Sequence, residues 1–501
     1  MQKILRLIQN TTMYRIVLYS LCLLFVLALA LSYFKLISPT PIDLITQCLY
    51  IVSVSVLANY ILAKAFRVVT NDESVYITAL ILVLIIPPAP LLQVILLDSW
   101  VAILAQASKY ILVWRKRHIF NPAAVAVVLT GYGFYFGADW WIGTVSYLIP
   151  VMAVMALVIV YKVRRFSMAT AFLLSVLFSL IFKTFYLNES ILNSGQLFIG
   201  ALTLSPIFFF LGIMLTEPLT TPASNWGQIV YGILAGILFS DVTTLFGLGL
   251  TPELALVVVN FVSLIISPKE TSILLLKDIR EIGALTYEFI FTSKHLKPWK
   301  AGQFAEFTTP SAMSDTRGNR RYFTIASAPN NKELRLGIKM SIPSSEFKKG
   351  LMSLNPGQAI NMTNIAGDFV LPKDKKKKIG FIAGGIGITP MKAMIDTVTE
   401  QNPRDIKLIY CIRSMKDAAY KSEFDEKTWL TKFFVVGEGA SIGNILVGAL
   451  NKEMLLSIVP DASERVWYIS GPHGMVETFS KELKEINVKG KDIKTDYFPG
   501  F

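Results

Sequence analysis

Long apolar runs recur through the first half of the chain, and short alternating runs follow in the second half. Ten runs between Tyr14 and about Pro268 are apolar enough to be interpreted as membrane spans, although the third to fifth and the tenth are short. The pattern therefore predicts an α-helical polytopic membrane bundle of about ten spans. They cover roughly residues 13–36, 42–64, 74–87, 90–107, 119–136, 139–161, 167–186, 195–216, 226–247 and 252–267.

Charge follows the same division of the chain. Residues 1–267 contain 14 of the 48 Lys and Arg residues. If loops alternate from an inside N-terminus, the inside loops hold twelve of these and the outside loops hold only Lys35 and Lys183. This bias predicts an integral membrane protein of the bacterial inner-membrane type with both termini cytoplasmic. The net charge of +13 is then interpreted as attraction to the lipid bilayer, and nucleic acid is not expected as a partner.

Three polar, proline-containing stretches interrupt the apolar pattern at 118–124, 214–222 and 249–253, the last followed by Asn260. Broken helices at membrane depth often line a site. Pro in the first turn with Asn or Thr as N-cap is also typical of an ordinary helix start, so both interpretations stay open. Ionisable groups in or near the spans are candidates for a proton or cation pathway or, for Glu217 and Glu253, for helix-dipole partners. These carboxylates are Asp98, Glu217, Asp241 and Glu253.

From Ile273 onward the apolar period becomes that of β-strands, punctuated by Gly and Pro. The runs predict an antiparallel β-barrel, interrupted by a helix over 344–354 that Ser344 would cap. From about residue 375, a buried strand, a glycine-rich turn and a helix to about Glu400 predict an α/β doubly wound parallel sheet. The predicted barrel strands are 285–292, 303–309, 320–326, 334–340 and 358–364, and the predicted parallel strands are 378–383, 407–412 and 466–470.

The run 321–327 carries candidate cofactor chemistry. Arg321 is suited to pair bidentately with a pyrophosphate. Phe323 shares its face of the strand and could cover an isoalloxazine ring, and Thr324 could hydrogen-bond the edge of that ring. The alternative is an ordinary barrel strand with an exposed Arg.

The turn 384–390 is a candidate phosphate site, because glycines let the backbone approach a phosphate and a helix N-terminus favours its charge. A simple strand-to-helix turn is the alternative. A second turn, 470–475, follows the last predicted strand, and ligands bind at the carboxyl ends of strands in such sheets.

Together these motifs closely resemble the ferredoxin–NADP reductase superfamily over about residues 270–501. The run 321–324 falls on the R-x-Y-[ST] flavin motif with Phe in place of Tyr, and 470–472 falls on the C-G-P motif with Ser in place of Cys. The Gly of the pyrophosphate helix motif is missing before Ser344. The apolar runs predict a transmembrane domain at 1–267, and the resemblance implies an FAD-binding β-barrel at 268–374 and an NAD(P)-binding domain at 375–501.

The same resemblance implies the site residues and the chemistry, hydride transfer from NADH or NADPH to FAD. The residues implied for FAD are Arg321, Tyr322, Phe323, Thr324, Ser344 and Ser345. Those implied for the nicotinamide dinucleotide are Gly384, Gly385, Gly387, Thr389, Pro390, Gly471 and Pro472. Thr324, Ser470 and a terminal aromatic, Phe501 or Phe498, are expected at the catalytic centre. Arg413, Ser414 and Lys416 could meet a 2′-phosphate or form a solvated loop, so the choice between NADH and NADPH stays open.

Over roughly 90–267, the strings FNPAA, MLTEPLTTP and TPE resemble a flavin-carrying membrane protein of the sodium-pumping NADH:quinone oxidoreductase and its counterpart in the related Rnf complex. The Ser-Gly-Ala-Thr motif that carries covalent FMN in those two proteins is absent, and the nearest string, 167–170, lacks the Gly. A non-covalent second flavin stays open. The resemblance implies a membrane electron-acceptor site, for quinone or that flavin, at Asn121, Pro122, Thr216, Glu217 and Thr220.

The sequence thus predicts a membrane-bound flavin-dependent oxidoreductase that passes electrons from NAD(P)H through FAD to a membrane acceptor. The alternative is a membrane-anchored reductase that serves a soluble acceptor, with other electron-transfer proteins as partners. Three cysteines are too few for an iron–sulfur cluster, and three histidines outside the span interiors disfavour membrane haems. No metal site is expected.

Overall fold

The computed structural model describes residues 11–66, 68, 72–88, 94–114, 117–187, 200, 205–222, 224–266, 271–309, 320–329, 332–399, 403–438 and 441–497. Its backbone divides into two compact units. The helical unit is residues 1–269, and the reductase unit is residues 270–315 with 319–501. We describe each unit by itself.

The described part of the helical unit is built from apolar helices. Four helical segments are long and apolar enough to cross a membrane: Met13–Tyr33, Pro41–Phe66, Ser146–Val163 and Phe166–Tyr186. The helices are α1 Met13–Tyr33, α2 Pro41–Phe66, α3 Asp72–Ile85, α4 Ser99–Ile111, α5 Pro122–Phe134, α6 Ile149–Val163, α7 Phe166–Tyr186, α8 Asn225–Phe239 and α9 Pro252–Ile266.

The structure therefore supports four candidate spans rather than ten clear ones. Four of the other predicted spans contain apolar helices of 10–17 residues, which are short for a span of about 20 residues. The two remaining predicted spans, 90–107 and 195–216, include π-helical segments at Val94–Asp98 and Phe210–Leu215. The residues of 195–216 before Ser205, apart from Gly200, lie outside the described residues.

Close packing of α7 against α8 stabilises the helical unit. A Cβ at Gly232 would overlap the Met168 carbonyl oxygen, and one at Gly236 would overlap the Phe172 carbonyl oxygen. Small residues four positions apart let two apolar helices approach closely where lipid gives no hydrophobic drive. Phe210 then fills the adjacent core, its ring centre 4.7 Å from that of Phe239.

The reductase unit begins with a six-stranded antiparallel sheet, which confirms the antiparallel prediction. Its strand order is β4-β3-β6-β1-β2-β5, and α10 (Glu346–Met352) lies between β5 and β6 in the sequence. The long first strand was not among the predicted runs. The strands are β1 Ser272–Gly283, β2 Thr286–Thr292, β3 Phe304–Thr308, β4 Arg320–Thr324, β5 Glu333–Lys339 and β6 Ala359–Ala366.

A six-stranded, fully parallel sheet follows, in the order β10-β9-β8-β7-β11-β12. The parallel α/β prediction is confirmed. Strand order reverses on either side of β7, and ligands bind at such a switch point in open α/β sheets. The strands are β7 Ile379–Gly384, β8 Ile406–Ile412, β9 Thr431–Val436, β10 Ile445–Val447, β11 Val466–Gly471 and β12 Ile493–Tyr497. The helices are α11 Ile388–Ile395, α12 Lys421–Asp425, α13 Lys452–Ile458 and α14 His473–Glu485.

Two predicted helix limits need correction. Ser345, not Ser344, caps α10: its Oγ accepts from Lys348 N at 3.4 Å, whereas Ser344 Oγ donates back to Ser341 O. The helix after the glycine-rich turn ends at Ile395 rather than near Glu400, because Thr397 N bonds to Met394 O in a tighter turn. Glu400 itself lies outside the described residues.

Candidate active site

The flavin-motif strand β4 presents Arg321 and Phe323 on one face. The Arg321 guanidinium lies 5.7 Å from the centre of the Phe347 ring, and the Phe323 ring lies 5.5 Å from the same ring. Arg321 also donates to the Arg320 carbonyl at 2.7 Å. Tyr322 is exposed and packs edge-on against Phe304. Because Phe347 belongs to α10, the strand and the start of that helix lie side by side.

Ser344 and Ser345 stand at the start of α10, where the resemblance expects a pyrophosphate contact. The Ser345 hydroxyl is used as the N-cap and that of Ser344 closes a turn. Both hydroxyls are therefore already hydrogen-bonded in this structure. The backbone N–H groups of the first helical turn can still favour an anion, although a seven-residue helix contributes only a small dipole.

The glycine-rich turn 384–390 and the turn 470–472 pack directly on each other. A Cβ at Gly387 would overlap the Ser470 carbonyl, and one at Gly384 would overlap Met475 and Pro472. Gly385 has φ +52°, and a Cβ there would have no atom within 4 Å among its neighbours. The missing side chains of Gly384 and Gly387 allow the close approach, and the positive φ of Gly385 favours glycine in the turn. The two loops meet at the carboxyl ends of β7 and β11.

Two hydroxyls, one in the flavin-motif strand and one in the turn 470–472, have no hydrogen-bond partner among the described residues. Thr324 Oγ1 and Ser470 Oγ are both buried, the residues being 3% and 0% exposed. Buried polar groups in native proteins are nearly always paired, so an unpartnered one marks a place where a ligand or water completes the bonding. By contrast, Thr389 Oγ1 donates within its own turn to the Ile386 carbonyl at 3.1 Å. Phe498 and Phe501 lie outside the described residues.

In the helical unit, the structure joins two of the three polar stretches through Glu217. Glu217 Oε2 accepts from Asn121 Nδ2 at 3.0 Å, and Oε1 lies 2.9 Å from His118 Nε2. Asn121 is also the N-cap of α5, its Oδ1 accepting from Ala123 N and Ala124 N at 3.1 and 3.2 Å. The two open interpretations of this stretch, helix start and polar site, thus both describe Asn121.

The third stretch joins the same cluster through Asn260 on α9. Its Oδ1 accepts from Asn121 N at 2.8 Å, and its Nδ2 donates to the Tyr231 hydroxyl at 2.7 Å. Thr220 Oγ1 lies 3.4 Å from the Glu217 carbonyl oxygen, whereas Thr216 Oγ1 bonds back to Gly212 O. We call the set His118, Asn121, Glu217, Thr220, Tyr231 and Asn260 the Glu217 cluster.

A cavity of about 50 Å³ adjoins the Glu217 cluster, room for a few water molecules. Asn121, Pro122 and Glu217 line it together with side chains from α1 and α3, among them Tyr14 and Ser74. Four of the five residues predicted for the membrane acceptor site thus belong to the cluster or its cavity; Thr216 bonds only within its own helical turn. Among the described residues, no group of three or more His, Cys, Asp or Glu could hold a metal ion.

Residues 381–481 match the family model of the oxidoreductase NAD-binding domain. The matched range runs from β7 through most of α14 and includes the turns 384–390 and 470–472. The match confirms the prediction of an oxidoreductase enzyme, whose C-terminal unit carries this domain. The match covers a fifth of the 501 residues.

Flavohemoproteins are similar to the reductase unit. That of Bacillus cereus is 25% identical over 231 residues, which are 42% of this chain and 57% of that protein. That of Candida albicans is 27% identical over 188 residues, which are 36% of this chain and 46% of that protein. The chain therefore spans about half the length of these relatives.

Solved structures of similar fold include the FAD/NAD-binding domain of nitric oxide dioxygenase from Vibrio cholerae, 19% identical, covering 45% of this chain and 98% of that one, with a TM-score of 0.41. Another is a ferredoxin NADP+ reductase from Neisseria gonorrhoeae with bound FAD and NADP, 15% identical, covering 46% of this chain and 99% of that one, with a TM-score of 0.40.

The NAD-binding domain also contains a residue that the motifs did not single out. Cys411 on β8 is half-buried and packs against the core of the parallel sheet. Burial raises the pKa of its thiol to about 12, so the thiol stays neutral at physiological pH. The structure likewise adds His118, Tyr231 and Asn260 to the polar residues of the helical unit. The stretch 118–124 contained His118, and Asn260 was noted beside the third stretch, but a lone Tyr in an apolar helix gave no signal.

Proposed function

We propose that this protein is a membrane-bound flavin-dependent oxidoreductase that transfers a hydride from NADH or NADPH to FAD and passes the electrons to a membrane acceptor. The two buried hydroxyls without partners, Thr324 Oγ1 and Ser470 Oγ, carry the first part of this proposal. They lie on the two motifs that the resemblance assigns to flavin and nicotinamide. The NAD-binding family match and the flavohemoprotein relatives support it.

FAD suits the residues on the barrel side. Arg321 would pair with the pyrophosphate, and the first turn of α10, behind Ser344 and Ser345, would supply N–H groups to the same anion. Phe323 would lie along the ring system, and the Thr324 hydroxyl would bond its polar edge. Tyr322 points to the opposite face of the strand, where it packs on Phe304. Bound FAD would supply the hydride-accepting chemistry and the ability to release electrons one at a time.

The nicotinamide dinucleotide suits the loops of the parallel sheet. Gly384, Gly385 and Gly387 would admit its pyrophosphate beside the start of α11, with Thr389 and Pro390 shaping that start. Gly471 and Pro472 would bring the nicotinamide to the Ser470 hydroxyl. These residues bind and orient, and they shield the reacting ring from water. Arg413, Ser414 and Lys416 follow β8 and are the candidates for a 2′-phosphate contact.

The Glu217 cluster is the proposed acceptor region, for a quinone or a second, non-covalently bound flavin. Its support is the convergence of Asn121, Glu217 and Asn260 from three distant stretches beside a cavity. The His118–Glu217 pair could deliver a proton to an acceptor that takes up electrons. A second candidate function is a membrane-anchored reductase that serves a soluble acceptor. It is favoured because the polar groups of the Glu217 cluster already bond to each other and do not need a ligand.

One experiment separates these two functions. The full-length protein in lipid vesicles is assayed for NAD(P)H oxidation with a soluble dye and with a membrane quinone, before and after the double change Asn121→Ala and Glu217→Gln. A conduit through the helical unit predicts that quinone reduction slows by about tenfold or more while dye reduction persists. Equal activities before and after would favour the soluble-acceptor function.

The domain limits and topology are part of the proposal. The helices at 1–267 would lie in the membrane, and the barrel at 268–374 and nucleotide domain at 375–501 would lie in the cytoplasm, where NAD(P)H is found. The twelve-to-two bias of Lys and Arg supports both termini inside. A reporter fused after Phe501 should be active only on the cytoplasmic face.

A further inference from the structure

Tyr420 has an unusual backbone for an aromatic residue. Its φ is +60° with ψ +16°, in the left-handed region, immediately before α12. Bulky side chains rarely occupy this region, and such strain persists only where the surroundings fix it. The side chain is also 2% exposed, and its hydroxyl has no hydrogen-bond partner among the described residues.

The Tyr420 ring reaches from the nucleotide side of the reductase unit to the barrel side. A Cβ at Gly337 of β5 would overlap both the Tyr420 hydroxyl and the Thr389 methyl group. Thr389 belongs to the glycine-rich turn, so Tyr420, Thr389 and the β5 backbone meet at one point. Glycine at 337 leaves the room for this contact.

A buried carboxylate lies at the same place. Glu288 of β2 is 1% exposed, and its Oε1 is without a partner among the described residues. Its Oε2 lies 3.5 Å from Arg335 NH1. Burial raises the pKa of Glu288, and burial followed by the charge of Glu288 raises the pKa of Tyr420. Glu288 stands opposite Gly337 in the register of β2 with β5, and the Tyr420 hydroxyl lies beside Gly337. The carboxyl and the hydroxyl are therefore suited to share one proton.

The Glu288 and Arg335 pair continues to the flavin-motif strand. Ala326 N donates to the Arg335 carbonyl at 2.8 Å, and Arg335 N donates to Ser327 Oγ at 3.2 Å. Ala326 and Ser327 lie two and three residues after Thr324, where β4 ends. A displacement of Glu288 would therefore be transmitted to the end of that strand.

On the other side, α11 holds the Tyr420 ring. Lys392 Nζ lies 5.3 Å from the ring centre and forms ion pairs with Asp396 at 2.5 Å and Glu423 at 2.9 Å. The Lys392 side chain is 2% exposed, so these pairs are shielded from solvent. Because α11 begins at the glycine-rich turn, Tyr420 contacts the turn through Thr389 and the helix through Lys392.

We propose that Tyr420 and Glu288 form a latch that fixes the glycine-rich turn of the NAD-binding domain against the flavin-motif strand. Both are positioning residues: the latch sets the approach of the nicotinamide to the flavin without touching either. The inference rests on the proposed transfer of hydride from NAD(P)H to FAD. Small errors in that approach slow the reaction strongly, because transfer needs a near-attack geometry.

The test is rapid-mixing flavin reduction in the purified full-length protein with Tyr420→Phe. We expect the reduction rate at saturating NAD(P)H to fall about tenfold, with FAD content and nucleotide dissociation constant changed by less than about twofold. The deuterium isotope effect with 4-deuterated nucleotide should rise, because hydride transfer becomes slower than the other steps. Tyr287→Phe is the matched control: it removes a half-buried tyrosine hydroxyl of β2, one residue before Glu288 and so on the opposite face of that strand, and should leave the rate unchanged.

Glu288 gives an independent test that remains available if Tyr420→Phe does not fold. Glu288→Ala should slow flavin reduction as Tyr420→Phe does, and Glu288→Gln, which keeps the shape and one acceptor oxygen, should restore most of the rate. Equal rates in the two tyrosine variants, or equal losses in both Glu288 variants, would overturn the latch. If the unchanged protein shows no flavin reduction by either nucleotide, the proposed function falls, and the latch with it.

Discussion

The candidate flavin and nucleotide site and the Glu217 cluster differ in how many of their hydrogen-bonding side-chain groups have a partner in the protein. In the reductase unit, Thr324 Oγ1 and Ser470 Oγ are buried without partners among the described residues. In the helical unit, the side-chain oxygens and amides of Asn121, Glu217 and Asn260 all have partners within the cluster or its helix caps. Thr324 and Ser470 are buried, whereas His118 and Glu217 are half-buried, so the more enclosed of the two sites is the one whose groups lack partners.

A buried hydrogen-bonding group without a partner costs about 1–3 kcal/mol, whereas a paired one is near neutral. The reductase site therefore has unused bonding capacity that a ligand can fill. The Glu217 cluster is complete without a ligand and also holds three chain segments together. For this reason we place the nucleotide and flavin chemistry on the first site and rest the acceptor proposal on the cavity beside the second.

The largest expected effect comes from closing the reductase site by sterics. Gly387→Val places side-chain atoms against the Ser470 carbonyl, separating the turns that meet there. We expect dye reduction by NAD(P)H to fall by about a hundredfold or more, since misplacement of a binding loop by about 1 Å can cost that much. Gly490→Ala, outside both turns and with nothing within 4 Å of the added Cβ, should behave as the unchanged protein.

Removing an unpartnered hydroxyl should separate activity from stability. Thr324→Val keeps the shape and removes Oγ1, which pairs with nothing described in the protein. We expect flavin reduction by NAD(P)H to slow by about tenfold, while the free energy of unfolding stays the same or rises by about 1 kcal/mol. Rapid mixing and thermal unfolding measure the two quantities. A loss of stability without a loss of rate would mean that Thr324 is an ordinary core residue.

The sequence predicted the parts of this site that depend on local pattern. Alternating runs placed β2 to β6, and the glycines placed the turn 384–390, because φ and close approach restrict these positions to few residue types. It missed β1, the polar edge strand β12, and β9 and β10, which glycines bound but which are too short or too uniformly apolar to show alternation. It also missed the Asn260–Tyr231 bond, since which distant side chains meet is decided by helix packing rather than by local pattern.

Removing a hydrogen-bonded group of the Glu217 cluster should lower stability and leave the activity of the reductase unit unchanged. Asn121→Ala deletes the N-cap of α5 and the amide that donates to Glu217. Loss of an N-cap costs about 0.5–2 kcal/mol, and the lost hydrogen bond to the half-buried Glu217 carboxylate adds up to about 1 kcal/mol. We expect a clearly lower thermal midpoint of the full-length protein in detergent, with dye reduction by NAD(P)H retained. Asn225→Ala, an exposed position at the start of α8, provides the control.

The smallest expected effect concerns Asp461, an ion-paired residue of the reductase unit that belongs to neither site. Arg465, with a side chain 1% exposed, donates to Asp405 at 2.8 and 3.0 Å and to Asp461 at 2.9 and 2.8 Å. The hydrogen bond from Arg465, with a further one from Lys378, lowers the pKa of Asp461 to about 2. A folded pKa below the usual value of 3.8 means that the stabilisation by ionised Asp461 is complete above about pH 4 and disappears as the pH falls through 2.

Asp461→Asn should therefore lower the free energy of unfolding by about 1 kcal/mol at neutral pH, as expected for a partly exposed partner, and flatten the fall of that free energy between about pH 4 and 2. Thermal unfolding across that range measures both, with Asp374→Asn at an exposed loop as the control. An unchanged pH slope would show that Asp461 titrates alike in the folded and unfolded chains, and the pairing would then stabilise through Asp405 alone.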